Sequence, residues 1–309
     1  MTNIIQLRNA YQAGTLPKPY FLGAVYALTQ SLVDFQDALE GTQIREIIVG
    51  TDGLRIRTVD HDLELMFYPE EANSLVTGIL AFGDAERLER RALLAAAHQS
   101  QVILDIGANV GWYSLHFARV AGEARIYAFE PAARIHARLL ANLALNGITG
   151  VVTEQLALQD QVGTDTLYFH PAETGASSVR DNRGFTGVQP EEIRCTTLDL
   201  YCSRQRIRPD LIKCDVEGGE LSVVKGALAT LQECQPVVFL ELLRKWSANF
   251  GYHPNEVLEI MQDLGYQAWA IESSGLRPCM EITDDTVATN FLFTCEGKHD
   301  SLIQQLARL

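Results

Sequence analysis

From Gln101 onward, short apolar bursts alternate with amphipathic stretches. Val102-Ile103-Leu104 precedes a helical stretch over 111–121. Ile126-Tyr127-Ala128-Phe129 precedes another over 132–146, where Ile135, Leu139 and Leu143 recur at i, i+4 and i+8. Val151 to Leu158 reads as a third strand. Leu211-Ile212-Lys213-Cys214 leads into a helix over 218–232, with Leu221, Val224, Leu228 and Leu231 on one face. Pro236 to Leu240 forms a fifth strand, and a helix over 254–264 closes at Gly265. Tyr266–Ile271 and Asn290–Thr294 supply the last two. Strands apolar throughout are buried on both faces, so the pattern predicts an α/β fold with a parallel sheet between helices. Right-handed crossovers make it Rossmann-like and doubly wound.

The first part of the chain reads differently. Residues 1–45 are helical, with Pro17 and Pro19 at the entry to a main helix carrying Tyr20, Leu22, Tyr26, Leu32 and Phe35. Residues 46–80 read as short strands: Ile47, Val49, Leu54 and Ile56 partly alternate around a Thr51-Asp52-Gly53 turn. A helix follows at 84–98. The division is therefore an N-terminal cap over 1–83, serving as substrate lid or dimer contact, and a main unit over 84–309. The stretch 161–195 reads as an insertion between strands, a length that is commonly functional.

Composition narrows the function. Of 309 residues 47% are apolar and 21% charged, which suits a folded chain. Lys plus Arg is 25 against 39 Asp plus Glu, a net charge of −14. That balance repels phosphate backbones and anionic lipid, so nucleic acid and membrane are not expected partners and a small molecule is. The six cysteines show no Cys-x-x-Cys spacing. No secretory signal and no apolar run near 18 residues is read, so reduced thiols and a cytoplasmic location are expected.

In doubly wound sheets ligands bind beyond the carboxyl ends of the strands. After the first strand stands Asp105-Ile106-Gly107-Ala108-Asn109-Val110-Gly111. A Gly-x-Gly-x-x-Gly dinucleotide loop is not met, because Asn109 and Trp112 stand where its later glycines would fall. Asp105 suits a ligand bearing a cationic amino-acid group; a structural turn is the plain alternative. Glu130-Pro131, about twenty residues on, is placed to accept ribose hydroxyls. Leu156 to Asp160 offers an edge for adenine. Asp215, Glu217 and Glu220 crowd one strand end, where a helix dipole explains Glu220 better than Asp215. Glu241 should lie beside Asp215. His170, near Ser177 and Ser178, is a candidate base, as is His253.

Together these stretches resemble the seven-strand S-adenosylmethionine-dependent methyltransferases, and more narrowly the FkbM-type family. The resemblance rests on Asp105-Ile106-Gly107-Ala108-Asn109-Val110-Gly111, Phe129-Glu130-Pro131 and Asp215-Val216-Glu217-Gly218-Gly219-Glu220, with Glu86 and Ser177-Ser178 also similar. It covers about 84–295. It implies a seven-stranded sheet in the order 3-2-1-4-5-7-6, strand seven antiparallel at Asn290-Phe291-Leu292-Phe293. It also implies O-methylation of a sugar, polyketide or other natural product. Asp105, Gly107, Asn109 and Gly111 would then hold the methionine portion, with Glu86, Tyr113 and Ser114 adjoining. Glu130 and Pro131 would take the ribose and Ala157 the adenine. Asp215, Glu217 and Glu241 compete to hold the methionine amino group, orient the acceptor or ligate Mg²⁺, for which Asp215 and Glu241 are the ligand pair. A nicotinamide-dependent oxidoreductase and a non-catalytic cofactor-binding scaffold are the alternatives.

Overall fold

The computed structural model describes residues 3–169, 178–180 and 188–307. The chain opens with a helical hairpin, α1 (Ile4–Gln12) and α2 (Lys18–Ala38). A three-stranded antiparallel sheet follows, β1 (Ile44–Gly50), β2 (Gly53–Thr58) and β3 (Glu64–Phe67). Helices α3 (Leu75–Phe82) and α4 (Arg87–Ala97) lead into the main sheet.

The main unit runs β4 (Val102–Ile106), α5 (Trp112–Val120), β5 (Arg125–Phe129), α6 (Ala133–Leu145) and β6 (Val151–Glu154). After β7 (Ala157–Leu158), β8 (Gly163–Phe169), β9 (Gln189–Thr196) and α7 (Leu198–Gln205), it resumes with β10 (Leu211–Cys214), α8 (Glu220–Lys225), α9 (Leu228–Cys234) and β11 (Val237–Glu241). It ends with α10 (Arg244–Ser247), α11 (Asn255–Asp263), β12 (Tyr266–Glu272), β13 (Gly275–Pro278), β14 (Asn290–Cys295) and α12 (Asp300–Leu306). The sheet order is β6-β5-β4-β10-β11-β14-β12-β13. β14 lies antiparallel to β11 and to β12, as the last strand of the expected order should. Seven strands were expected; the eighth, β13, is a hairpin return paired to β12 at the edge.

Alternate residues of each central strand enter opposite cores. Leu104, Ile106, Ile212 and Leu240 pack in one cluster with the helix residues Leu221 and Leu258. Ile103, Leu211 and Phe239 pack in the other with Leu93 and Phe117. That second cluster also takes Ile44, Ile56, Leu65 and Ile79, so the small N-terminal sheet and α3 share a core with the main sheet. His116, on α5, packs there fully buried, its Nδ1 2.9 Å from Nδ1 of His61. Burial, with Arg90 and His61 nearby, drives it down to about 2, so it stays neutral.

Three local expectations are corrected. The third strand is two: β6 stays in the main sheet, and β7 pairs with β9 in a separate three-stranded sheet. In the insertion's described residues β8 pairs antiparallel with β9, and Leu167, Phe169, Ile193 and Cys195 pack on Ala132 and Ile135. The helix over 218–232 breaks near Gly226, where a Cβ would stand 2.0 Å from the Gln159 carbonyl oxygen. All six cysteines are unpaired. Among the described residues no helix is long and apolar enough to cross a membrane.

Candidate functional site

A crevice of about 730 Å³ opens over the C-terminal ends of β4, β5 and β10. Apart from Leu75, its lining comes from residue 85 onward, so α1 and α2 are no part of its wall. Glu86, Gly107, Asn109, Tyr113, Glu130, Pro131, Ala157, Asp215 and Glu217 all line it.

Glu130 follows β5 and is 7% exposed. One carboxylate oxygen accepts the Asn109 N–H and the other the Ala132 N–H, each at 3.0 Å. Each oxygen keeps a second lone pair for a hydroxyl. Burial pushes this carboxyl up to about 7, against the pull of the two amides.

Strand register sets the floor. Lys213 on β10 pairs with Asp105 on β4, so both side chains share a face. Lys213 Nζ lies 3.6 Å from Asp105 Oδ1 and 3.6 Å from Asp215 Oδ2, and donates to the Gly107 carbonyl at 3.0 Å. Burial opposes the charge of Lys213, yet Asp215, Asp105 and Glu86 outweigh it and raise the ammonium above its ordinary range.

Several candidate residues therefore sit elsewhere than expected. Asp105 is fully buried, accepts the Ser114 hydroxyl at 2.6 Å and is absent from the crevice wall. Ser114 is buried with it. Its strand alternation aims Asp105 at Ser114 of α5 and at Lys213. Gly111 turns toward α6: at φ 93°, a Cβ there would meet Leu139 at 2.5 Å. Four of the loop's amides are already engaged. Gly107 and Ala108 donate to the Phe129 carbonyl, Asn109 to Glu130 and Gly111 to Ala108. Gly107 itself is required by closeness: at φ 72°, a Cβ would lie 1.8 Å from the Asp215 carbonyl oxygen.

At the other side, Asp215, Glu217 and Glu241 each place an oxygen within 4.8 Å of the others. Glu241, at the end of β11, does not line the crevice. Burial, with Asp215 and Glu217 adding repulsion, holds its carboxyl far above the usual range. Glu86 accepts the Tyr113 hydroxyl at 2.6 Å, and its carboxyl is raised by burial and by Asp215. The carbonyl of Glu217 accepts the Ser178 hydroxyl at 3.0 Å. Glu220 is a loop clasp more than a dipole residue: buried, it accepts the N–H groups of Val216 and Gly218. His170 and Ser177 lie outside the described residues. His253 is exposed, and its Nδ1 caps the Asn255 N–H at the start of α11.

Sequence reasoning gave no role to Lys213. Its signal was a lysine inside the otherwise apolar Leu211-Ile212-Lys213-Cys214 strand, which in a buried sheet demands partners.

Comparison with known proteins gives one family match: the methyltransferase FkbM domain, over residues 105–268. Methyltransferase sdnD of Sordaria araneosa is 33% identical over 209 residues, covering 58% of this chain and 70% of its own length. The 31-O-demethyl-FK506 methyltransferase FkbM of Streptomyces tacrolimicus is 34% identical over 153 residues, 40% of this chain and 58% of its own. A crystal structure of methyltransferase FkbM from Methylobacillus flagellatus aligns over 63% of this chain and 43% of its own, with 19% identity and a TM-score of 0.40.

Proposed function

This chain belongs to the methyltransferase FkbM domain family, and on that premise we propose that it moves a methyl group from S-adenosylmethionine to a hydroxyl of a small molecule, such as a sugar or polyketide. Membership makes it a methyltransferase and does not favour the oxidoreductase or the scaffold. The Streptomyces relative's name puts its methyl on an oxygen, which supports a hydroxyl here.

One observation carries the reading: a single crevice over the strand ends has Glu130 in its wall together with Asp215 and Glu217. The residues present fit the cofactor. Glu130 has two lone pairs left for ribose hydroxyls, and the Leu156–Ala157 backbone flanks a space for adenine. Glu86 and Asp215 favour a cationic ammonium and sulfonium nearby. When bound, the cofactor supplies a sulfonium methyl for in-line attack.

The chain's own work is positioning and proton removal. Lys213, tied to Asp105, Asp215 and the Gly107 carbonyl, fixes the two strand-end loops relative to each other. An alcohol attacks poorly while protonated, so a base must take its proton in the transition state. Asp215 and Glu217 stand in the wall and are the groups we assign; Glu241 lies behind them, with an oxygen within 4.8 Å of an oxygen of each. His170 is the alternative base. The oxygen-only pair Asp215 and Glu241 is where Mg²⁺ would bind.

Single-turnover assays with a panel of hydroxylated acceptors test this. Glu217→Gln or Asp215→Asn is expected to lower turnover at least ~100-fold with cofactor binding by calorimetry retained in Glu217→Gln. Full activity in both, with loss in His170→Ala, would move the base to His170. Dialysis against EDTA separates the metal: loss restored by Mg²⁺ assigns one, and unchanged turnover leaves the step to the carboxylates. Absence of S-adenosylmethionine binding would overturn the reading.

A further inference from the structure

We infer that Arg180 receives a carboxylate of the acceptor, so that the molecule methylated here is a hydroxylated acid, such as a sugar acid. The inference rests on the methyltransferase reading above and names the class of acceptor that its site takes.

Arg180 stands between β8 and β9, in the same crevice wall as Asp215 and Glu217. The two residues before it are pinned. Ser178 exchanges two backbone hydrogen bonds with Tyr168 of β8, at 2.8 and 3.3 Å, and its hydroxyl donates to the Glu217 carbonyl at 3.0 Å. Val179 packs on the cluster that holds Ala132 and Ile135. The Arg180 side chain therefore starts from a fixed point on the Glu217 side of the crevice. Its guanidinium carbon lies 5.9 Å from the centre of the Phe250 ring, a spacing at which the ring face attracts a cation. Phe250 is itself set against Gly218, where a Cβ would meet its ring at 2.8 Å.

The charge of Arg180 is not compensated. The wall carries the carboxyl groups of Glu86, Glu130, Asp160, Asp165, Asp215 and Glu217, yet among the described residues Arg180 forms no ion pair. The other cations of the wall serve elsewhere. Lys213 is engaged by Asp105 and Asp215. Lys225 stands one turn past Ser222, whose hydroxyl donates to Asp160, at the end that flanks the adenine space. A wall so rich in carboxylates, in a chain of net charge −14, opposes an incoming anion. A planar fork of N–H donors offsets that repulsion for a carboxylate, which it matches with two parallel hydrogen bonds. A phosphate would bring up to two charges against Asp215 and Glu217.

The cofactor's own carboxylate offers the same chemistry. Glu86, which accepts the Tyr113 hydroxyl, draws the ammonium and the carboxylate attached to it toward β4. Arg180 is tied through Ser178 to the loop after β10, beside the groups assigned to the acceptor's proton.

Methyl transfer to matched acceptors tests the inference. The panel holds sugar acids, hydroxybenzoates and hydroxylated fatty acids, each beside its neutral amide, with sugar phosphates as a further set. The acid is expected to exceed its amide about tenfold in kcat/KM, through KM more than kcat. Arg180→Met should bring that ratio near one, and Arg180→Lys should restore part of it. Calorimetry with S-adenosylhomocysteine should give the same Kd for the native chain and Arg180→Met. Amides used as well as acids, phosphates preferred to acids, an acid preference that survives Arg180→Met, or no transfer to any acid would each overturn the inference. So would a weaker Kd for S-adenosylhomocysteine in Arg180→Met, which would give Arg180 to the cofactor's carboxylate. Cofactor binding separates the two failures: retained, with amides preferred, it overturns this inference alone, whereas its absence removes the methyltransferase reading as well.

Discussion

A carboxyl group that accepts hydrogen bonds from two hydroxyls does so best when ionised. Glu130 is pushed up to about 7 by its burial, so its ionised fraction changes across the neutral range. If it receives the ribose, cofactor affinity must fall as the pH drops. Titration calorimetry should show Kd rising roughly tenfold between pH 8 and pH 6. Glu130→Gln removes the charge and the titration together. It should weaken binding by about 2 kcal/mol at pH 8 and leave a flat profile. A variant that still shows the full pH dependence would assign it to another carboxyl and remove Glu130 from the ribose. Lys213 acts one layer lower. Its ammonium ties together three groups from two loops, and its place was signalled by a charge in a buried strand.

Between α8 and α9 the chain bends because Gly226 touches the Gln159 carbonyl, on the segment that flanks the adenine space. Its backbone is unstrained, so alanine there tests sterics alone. Gly226→Ala should cost about 1–3 kcal/mol in stability by overpacking, read by thermal or urea melts, and should weaken cofactor binding by displacing Gln159. Unchanged stability would show that the segment yields. This contact also marks the limit of the sequence. Central strands such as Val102–Ile106 and Leu211–Cys214 were legible because burial on both faces leaves bursts that are apolar apart from Asp105 and Lys213. The break at Gly226 depends on a neighbour 67 residues away, which no local periodicity encodes. The β8–β9 pair left only a faint alternation, Leu167 with Phe169 and Ile193 with Cys195, because its sheet is small and half-buried. At the site, motif spacing led to Gly107, Glu130, Asp215 and Glu217. It could not say which way a strand-end side chain turns: Asp105 is buried against Ser114 and Lys213, and Gly111 packs against Leu139.

Across the whole molecule, buried carboxyls are the dominant charge feature. Glu130 and Glu220 are each raised to about 7 by burial, and Glu86 and Glu241 are raised as well. In the unfolded chain each glutamate titrates near 4.3. Between that value and 7 these carboxyls bind more protons in the folded state than in the unfolded one, so their contribution to folding stability falls as pH rises through this window, against the opposite slope that the buried neutral His116 gives below its ordinary value. The loss for one such group is at most roughly 4 kcal/mol, less wherever solvent relaxes around it. The net charge of −14 works in the same direction through repulsion among exposed carboxylates. Salt separates the two causes, because it screens surface charges and reaches buried ones weakly. Urea midpoints measured without ligand should decline from pH 5 to pH 8, and most of the decline should persist at 0.5 M NaCl. Glu220→Gln, which keeps an acceptor for the Val216 and Gly218 amides but cannot ionise, should make the slope shallower. A decline that salt abolishes would place the effect on the surface, and a midpoint that rises with pH would mean these carboxyls are ionised and paired in the folded protein.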